Sequence, residues 1–220
     1  MRRRRSARQA RERWALGPTR WLAGLTDSQT AWAARYPRID RIIDLLELGP
    51  GKRYLDIGCG TGGFAEMLAT RAGMDDFPVC AGLAPEPGTG LIAWPEQLPF
   101  ADNAFDCVTS FHFLRRFDDD VYRAFAEELS RVLAPGGVAI LADYAPVGGE
   151  WLNRLHRGLL RFDTAAPDLR GWGRISLLLT HCGFGAVNLV TLGPGILPPI
   201  PRVAIVLRHV PEPAAVPSYQ

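Results

Sequence analysis

A glycine-rich loop that carries one acidic residue is the segment of the sequence best suited to bind a charged ligand. The run Asp56-Ile57-Gly58-Cys59-Gly60-Thr61-Gly62 follows a short apolar stretch and leads into a segment with helical character. Glycines in such a turn let the backbone approach a ligand closely at the start of a helix. The carboxylate of Asp56 would oppose a pyrophosphate but would favour a cationic amine. A tight turn without any ligand stays an alternative at this point.

Polar side chains at the ends of two apolar runs are candidates for proton transfer. His112 directly follows the run Phe105–Phe111. Asp143 and Tyr144 end the run that starts at Val138. Because parallel strands end at the same edge of a sheet, we expect these side chains near the glycine loop. His112 is the leading candidate for a general base and Tyr144 is a second candidate catalytic residue. A surface histidine and a tyrosine that only hydrogen-bonds a loop are the structural alternatives.

The elements that must position these residues alternate between strand and helix patterns. Apolar residues at helical spacing predict helices over 37–48, 62–72, 121–133, 150–162 and 170–181. Apolar runs of strand length predict strands at 54–57, 77–83, 105–111, 138–142, 186–192 and 202–208. This alternation is typical of an α/β fold with a Rossmann-like, doubly wound and mostly parallel sheet. The Gly- and Pro-rich linker between the last two strands favours an antiparallel C-terminal strand pair.

Length and charge divide the chain into three parts. Its 220 residues, 47% hydrophobic and 22% charged, suffice for one folded domain, which we expect over 37–210. We expect residues 1–36 to form a basic arm and entry segment and residues 211–220 a flexible Pro-rich tail. Residues 1–13 hold seven Arg and one Glu, a charge of +6, against +2 for the whole chain. The arm predicts at most weak peripheral contact with an anionic membrane, or only a solvated segment, and we expect no nucleic-acid partner. The sequence leaves the oligomeric state open.

Cysteine and hydropathy patterns exclude several other classes of protein. The four cysteines lack the C-x-x-C spacing typical of metal sites, so we expect reduced, mostly buried thiols and no bound metal. No apolar run approaches the ~20 residues that a membrane-spanning helix requires. The Arg-rich start is not followed by the apolar stretch of a secretory signal, so we expect a cytoplasmic protein.

Four segments in a fixed order resemble the motifs of class I S-adenosylmethionine-dependent methyltransferases. Tyr54–Gly63 is similar to the first motif of that superfamily, and Leu98–Asp106 to the "LPF…D-x-x-F-D" stretch before the fourth strand. Arg131–Gly137 is similar to the "RVLxPGG" entry to the fifth strand, and Cys182-Gly183-Phe184 to the "G-F" before the sixth. Residues 98–144 are most similar to quinone-biosynthesis and related small-molecule C-methyltransferases. The resemblance implies methyl transfer from S-adenosyl-L-methionine to a small, apolar or aromatic molecule.

The resemblance also implies which residues contact the cofactor. It assigns the glycine loop to the methionine end and the ribose, through Asp56, Gly58, Cys59, Gly60, Thr61 and Gly62. It assigns Ser110 and Phe111 to the methionine carboxylate and the methyl group. It assigns Glu96 and Gln97 to the adenine.

One departure from the family pattern concerns the ribose. The family usually ends its second strand with an acid that binds both ribose hydroxyls, and Gly82 stands at that position. The nearest acids are Glu86, four residues later, and Asp75 and Asp76, which precede the strand. Loss of a charge-assisted contact worth about 1.5–3 kcal/mol predicts binding weaker by about tenfold or more.

A second departure concerns the adenine. Only residues 84–90 separate the second strand from the next apolar run, and a parallel crossover with a helix needs at least about 10–12 residues. We therefore expect the third strand to be lost, displaced or reached by an irregular loop. Trp94 stands where the family has an acid, and it would either stack on an adenine or cover a sheet edge.

Two further hypotheses compete with a methyltransferase. A non-catalytic relative would keep the fold, bind the cofactor weakly or not at all, and serve protein interaction. A nicotinamide enzyme would use the spacing Gly58-x-Gly60-x-x-Gly63, which also matches a dinucleotide fingerprint. The carboxylate of Asp56 and the absence of an acid at Gly82 argue against the nicotinamide enzyme.

Overall fold

The computed structural model describes residues 39–83, 89–160, 169–179, 182–194 and 201–210. The predictions for the basic arm, for Glu86, for the linker between the last two strands and for the C-terminal tail lie outside these residues.

Seven strands form one sheet. In chain order they are β1 Tyr54–Ile57, β2 Val79–Gly82, β3 Leu91–Ile92, β4 Phe105–Phe111, β5 Leu133–Tyr144, β6 Phe184–Pro194 and β7 Pro201–His209. Their spatial order is β3-β2-β1-β4-β5-β7-β6. Strands β1 to β5 pair in parallel, whereas β7 pairs antiparallel with both β5 and β6. The predicted Rossmann-like sheet with an antiparallel C-terminal strand is confirmed.

Helices cover both faces of this sheet. They are α1 Ile39–Leu46, α2 Gly63–Ala72, α3 Asp119–Val132, α4 Glu150–Leu160 and α5 Trp172–Leu179, with a 3₁₀ turn at Leu114–Arg116. Residues of α1 and α2 share one apolar cluster with the sheet, and residues of α3 and α5 share the other. Successive strand residues point to opposite faces, so a continuous apolar strand is buried by both layers. Within the described residues, no helix is both long and apolar enough to cross a bilayer.

Helix α3 follows directly from its sequence. Asp118 caps its first turn, where the carboxylate accepts a hydrogen bond from the backbone N–H of Val121 at 3.0 Å. Val121, Phe125 and Leu129 recur four residues apart and are buried against the sheet.

A single arginine joins the two motifs that flank β4 and α3. Arg131 donates hydrogen bonds to the carbonyl oxygens of Leu98 and Phe100, at 3.0 and 2.7 Å. It also binds the carboxylates of Asp102 and Glu128, both at 2.8 Å. The segment before β4 is thereby held against the end of α3, because one planar guanidinium satisfies four acceptors.

The third strand exists in a reduced form. Strand β3 has two residues and pairs in parallel with β2, with Gly82 opposite Ile92. Only eight residues lie between β2 and β3, too few for a crossover with a helix.

Strands β2 and β5 do not begin at the predicted residues. Strand β2 begins at Val79 rather than at residue 77, and Phe77 is almost fully exposed. Strand β5 begins at Leu133 rather than at 138, because Leu133 pairs with Phe105 before the Pro-Gly-Gly turn.

Candidate functional site

The glycine loop leaves β1 at the carboxyl edge of the sheet and leads into α2. Its backbone has positive φ at Gly58 (81°), Gly60 (56°) and Gly62 (81°). The N–H of Gly58 donates to the carbonyl of Ala81 at 2.7 Å, which ties the loop to β2. A Cβ at Gly58 would lie 2.4 Å from the ring of Phe113, so both the backbone and the packing require glycine.

Asp56 lies beneath this loop and is held by a chain of hydroxyl groups. The Thr109 hydroxyl donates to Asp56 Oδ1 at 2.7 Å, and the Tyr54 hydroxyl lies 2.7 Å from Thr109 Oγ1. All three side chains are buried, and Asp56 is opposite Thr109 in the strand register. Burial raises the pKa of Asp56 to about 7. A cation close to this carboxyl group would favour its ionised form.

Ser110 and Phe111 point to opposite faces of the sheet, as neighbours in a strand must. Ser110 Oγ is buried and has no hydrogen-bond partner among the described residues. Phe111 packs against Phe64, with 4.6 Å between the ring centroids. Phe111 therefore belongs to the core, whereas Ser110 retains an unused hydroxyl next to the carboxyl end of β4.

The link after β2 contacts the glycine loop. The hydroxyl of Thr89 donates to the carbonyl of Gly60 at 3.0 Å and lies 3.9 Å from Cys59 Sγ. Cys59 is buried, whereas Thr61 is partly exposed. Thr89 was not among the predicted site residues, because nothing in a Gly- and Pro-rich link identifies which side chain folds back.

His112 lies at the end of β4 in a left-handed backbone conformation with φ of 55°. Its N–H donates to the carbonyl of Ala142 at 2.8 Å, which extends the pairing with β5. Its Nδ1 lies 3.5 Å from Asp143 Oδ1, and its ring stacks on Tyr144 with 4.4 Å between centroids. The two predicted catalytic residues are thus in contact with each other and with a carboxylate.

Arg115, in the 3₁₀ turn after β4, completes this cluster and was missed by the sequence analysis. Its Nη1 lies 3.3 Å from Asp143 Oδ1 and donates to the carbonyl of His112. Its guanidinium lies 5.3 Å from the centre of the Tyr144 ring. Burial alone would raise the pKa of Asp143, but the charge of Arg115 and the contact with His112 leave that pKa below its usual value. Asp143 is therefore ionised. The only sequence signal for Arg115 was the presence of a charged residue shortly after the end of β4.

A small cavity that is partly open to solvent adjoins this cluster. Most of its described lining surface is apolar, and its polar and charged side chains include Arg115, Asp143, Tyr144 and Arg170. Helices α3 and α5 contribute Tyr122 and Ile175 to its walls.

The residues predicted for the adenosine end lie at and beyond the end of β2. Gly82 is the last residue of β2, and its carbonyl accepts the N–H of Ala93 at 2.9 Å. Trp94 is half-buried and forms a turn with Glu96 and Gln97, in which the N–H of Gln97 donates to the carbonyl of Trp94 at 3.1 Å. Among the described residues, no carboxylate lies at the end of β2, because Gly82 occupies that position.

Asp75 does not replace that carboxylate. Asp75 and Asp76 precede β2 and therefore lie toward the opposite edge of the sheet. The carboxylate of Asp75 accepts the N–H of Gly51 at 3.1 Å, before β1.

Comparison with known proteins gives a family for the central part of the chain. Residues 55–141 match the family model described as "Methyltransferase domain". This segment begins on β1 and ends within β5, so it contains the glycine loop and His112.

Two relatives in sequence are named as methyltransferases. The 24-methylenesterol C-methyltransferase 2 of Oryza sativa subsp. japonica is 30% identical over 184 residues, which is 73% of this chain and 48% of the relative. The demethylmenaquinone methyltransferase of Thermus thermophilus is 39% identical over 120 residues, which is 48% of this chain and 53% of the relative. The chain thus spans about half the length of these curated relatives.

A solved structure shares the fold. The geranyl diphosphate C-methyltransferase of Streptomyces coelicolor, in complex with Mg²⁺, geranyl diphosphate and S-adenosyl-L-homocysteine, superposes with a TM-score of 0.59 at 17% identity, covering 79% of each chain. Together with the strand order, this likeness shows a Rossmann-like fold of the methyltransferase type, and residues 55–141 carry the segment that matches the methyltransferase domain.

Proposed function

We propose that this protein is an S-adenosylmethionine-dependent methyltransferase that acts on a small, apolar or aromatic molecule. The observation that carries the proposal is the position of the buried Asp56 under the glycine loop, at the same sheet edge as the His112–Asp143 pair. Strands β1, β4 and β5 are neighbours in the sheet and end at this edge. A cofactor site and an acceptor site would therefore adjoin each other.

The methionine end of the cofactor fits the residues present. The buried Asp56 carboxyl, with its raised pKa, would become the partner of the methionine amine. The unpartnered hydroxyl of Ser110 would supply a hydrogen bond to the methionine carboxylate. The positive φ values of the loop glycines leave room for close approach of the ligand to the backbone.

The adenosine end fits less well. Gly82 offers no carboxylate to the ribose hydroxyls, and Asp75 is engaged at the other edge of the sheet. Trp94 would supply a ring face to the adenine from its exposed part, since its side chain is partly buried. We therefore infer that affinity for the cofactor depends mainly on its methionine end.

His112 would act as the general base for acceptors that lose a proton. When bound, S-adenosylmethionine supplies an electrophilic methyl group. Asp143 faces Nδ1 of His112, which favours the tautomer that carries its proton on Nδ1 and leaves Nε2 to accept one. Arg115 keeps Asp143 ionised, and the stacked ring of Tyr144 fixes the plane of the imidazole.

The acceptor class is inferred from the site and from the names of the relatives. The cavity beside Asp143 and Tyr144 is lined mostly by apolar side chains and suits a molecule with a ring or hydrocarbon body. Relatives are named for C-methylation of a sterol and methylation of demethylmenaquinone. A reduced quinone ring would also present the hydroxyl proton that His112 could accept.

The second candidate is a non-catalytic relative, and Gly82 is the observation that favours it. Without a ribose carboxylate, the Kd for the cofactor would exceed the cellular concentration of the cofactor. The fold would then serve protein interaction.

Calorimetric titration with S-adenosylmethionine and S-adenosylhomocysteine separates these two functions. We expect saturable binding of both, followed by production of S-adenosylhomocysteine when a panel of reduced demethylated quinones and sterols is added. Binding without turnover across the panel favours the non-catalytic relative. No detectable binding at about millimolar ligand would overturn the methyltransferase proposal, because the binding free energy would then be weaker than about 4 kcal/mol.

A further inference from the structure

Helix α4 exposes an apolar stripe. Trp151, Leu155 and Leu159 recur four residues apart, so they lie along one face of the helix. Their exposed fractions are 70%, 52% and 38%. The opposite face is buried through Asn153 and His156. One face of the helix therefore packs against the described protein, whereas its apolar face is exposed.

Positive charge lies beside this stripe. Arg154 lies beside Trp151 on the helix surface, whereas Arg157 lies farther round, away from Leu155 and Leu159. The single acid of the helix, Glu150, forms ion pairs with both arginines, at 3.9 and 2.8 Å. One positive charge on the helix thus remains uncompensated. An apolar stripe with tryptophan at one end and an arginine alongside, on a helix of net positive charge, is typical of a helix that lies in the surface of an anionic bilayer.

The stripe is anchored close to the candidate acceptor site. Five residues separate Tyr144, at the end of β5, from the start of α4. The side-chain amide of Asn153 accepts from the N–H of Val147 and donates to its carbonyl, both at 2.8 Å. This double hydrogen bond holds α4 against the loop that leaves the carboxyl edge of the sheet.

We propose that the exposed face of α4 binds the surface of an anionic lipid bilayer, with Trp151, Leu155 and Leu159 inserted among the acyl chains and Arg154 near the phosphates. Three side chains provide far less area than the roughly 800 Å² per partner of a stable protein interface, which argues against a second copy as the occupant. The proposal goes beyond methyl transfer, and its test does not depend on activity. If the acceptor is lipid-soluble, this orientation would bring it to the site from the bilayer.

Vesicle co-sedimentation of the full chain tests the proposal. The probes are vesicles of phosphatidylcholine alone and of phosphatidylcholine with phosphatidylglycerol. We expect preferential binding to the anionic vesicles, reduced about tenfold or more by Leu155→Ser/Leu159→Ser. The control is Leu177→Ser, which removes from α5 a leucine that is more exposed (70%) than Leu155 or Leu159 and should leave binding unchanged.

A second measurement locates the contact. Brominated acyl chains should quench tryptophan fluorescence of the wild type, and Trp151→Phe should remove most of that quenching among the six tryptophans of the chain. Circular dichroism and thermal unfolding verify that the variants fold.

Three results would overturn the proposal. The first is that the wild type binds no anionic vesicle. The second is that the stripe variants bind as well as the wild type, so that residues 1–13 account for binding. The third is that Leu155→Ser/Leu159→Ser converts a dimer into a monomer without weakening vesicle binding.

Discussion

His112 Nδ1 lies 3.5 Å from Asp143 Oδ1, and this contact joins the ends of two neighbouring parallel strands. It turns two side chains that are 31 positions apart into one acid–base unit. Arg115 contacts Asp143 from the same side as the imidazole, at 3.3 Å. The carboxylate is thereby oriented, and the charge of Arg115 lowers the pKa of Asp143.

Removal of the imidazole is expected to slow methyl transfer without weakening cofactor binding. His112→Gln should lower kcat by about 10²–10⁴ for an acceptor that loses a proton, because it removes the base. Asp143→Asn should cause a smaller loss, because the imidazole stays but loses its orienting partner. Turnover and calorimetric binding of S-adenosylhomocysteine measure the two effects. His209→Gln is the control, since that ring lies near the carbonyl of Ala134 at the other end of β5. Unchanged kcat in His112→Gln would remove His112 from the mechanism.

Affinity for the cofactor is expected to depend on pH through Asp56. Its pKa of about 7 means that the free protein holds a largely neutral carboxyl group at pH ~6. A bound methionine amine favours the carboxylate, so binding at that pH releases about one proton, and affinity rises by up to about tenfold per pH unit until it levels off above 7. Titration of S-adenosylhomocysteine in buffers of different ionisation enthalpy measures both quantities. Asp56→Asn should bind more weakly with a flat pH profile, and a flat profile in the wild type contradicts the assignment.

The same carboxyl group predicts a pH dependence of stability in the unliganded protein. Its pKa is about 7 when folded and about 4 when unfolded, so the folded state binds the proton more tightly. Its contribution to stability is fully present below pH ~4 and is lost as the pH rises through 7. Relative to Asp56→Asn, the wild type should lose up to about 4 kcal/mol over this interval. Urea unfolding of both proteins at several pH values measures the difference, and parallel curves would refute the prediction.

A carboxylate restored at the end of β2 is expected to strengthen binding of the ribose. Gly82→Asp should increase the affinity for S-adenosylhomocysteine by about tenfold or more, because a charge-assisted contact contributes about 1.5–3 kcal/mol. Gly82→Asn is the control, with the same shape and no charge. The gain should be absent for the 2′-deoxy analogue of the ligand, since that analogue lacks one of the two hydroxyls. An equal gain for both ligands would indicate general electrostatic attraction instead.

Two glycines of the loop are expected to respond differently to alanine. Gly58→Ala places a methyl group against Phe113 at positive φ and should lower the free energy of unfolding by about 2–4 kcal/mol. Gly60→Ala also has positive φ but meets no atom within 4 Å, so about 1–2 kcal/mol is expected. Equilibrium urea unfolding compares them, and equal losses would show that packing against Phe113 is unimportant.

Local sequence patterns predicted most of the fold because they reflect local physics. Strands β1 and β4 have the predicted bounds, since each is a short, continuous apolar run buried on both faces. The early start of β5 was missed because Pro135-Gly136-Gly137 normally indicates a turn, whereas here Leu133 still pairs with β4. Long-range pairing overrode the local signal in that case.

The candidate site was less predictable because its contacts join distant residues. His112 and Tyr144 were identified from their positions after strands, but their stacking depends on the register between β4 and β5. Thr109 was hidden inside an apolar run, although its hydroxyl is the partner of Asp56. Arg115 was passed over because its role depends on a carboxylate 28 positions away.

The short third strand has a consequence for the solubility of the protein. Strand β3 is one of the two outer strands of the sheet and has only two residues. It therefore offers few unpaired backbone groups to which a strand of another molecule could add. The other outer strand, β6, has register irregularities near both ends, which bend it away from a flat template. The short link that leaves β3 with two residues thus also leaves little open backbone at this end of the described sheet for edge-to-edge pairing.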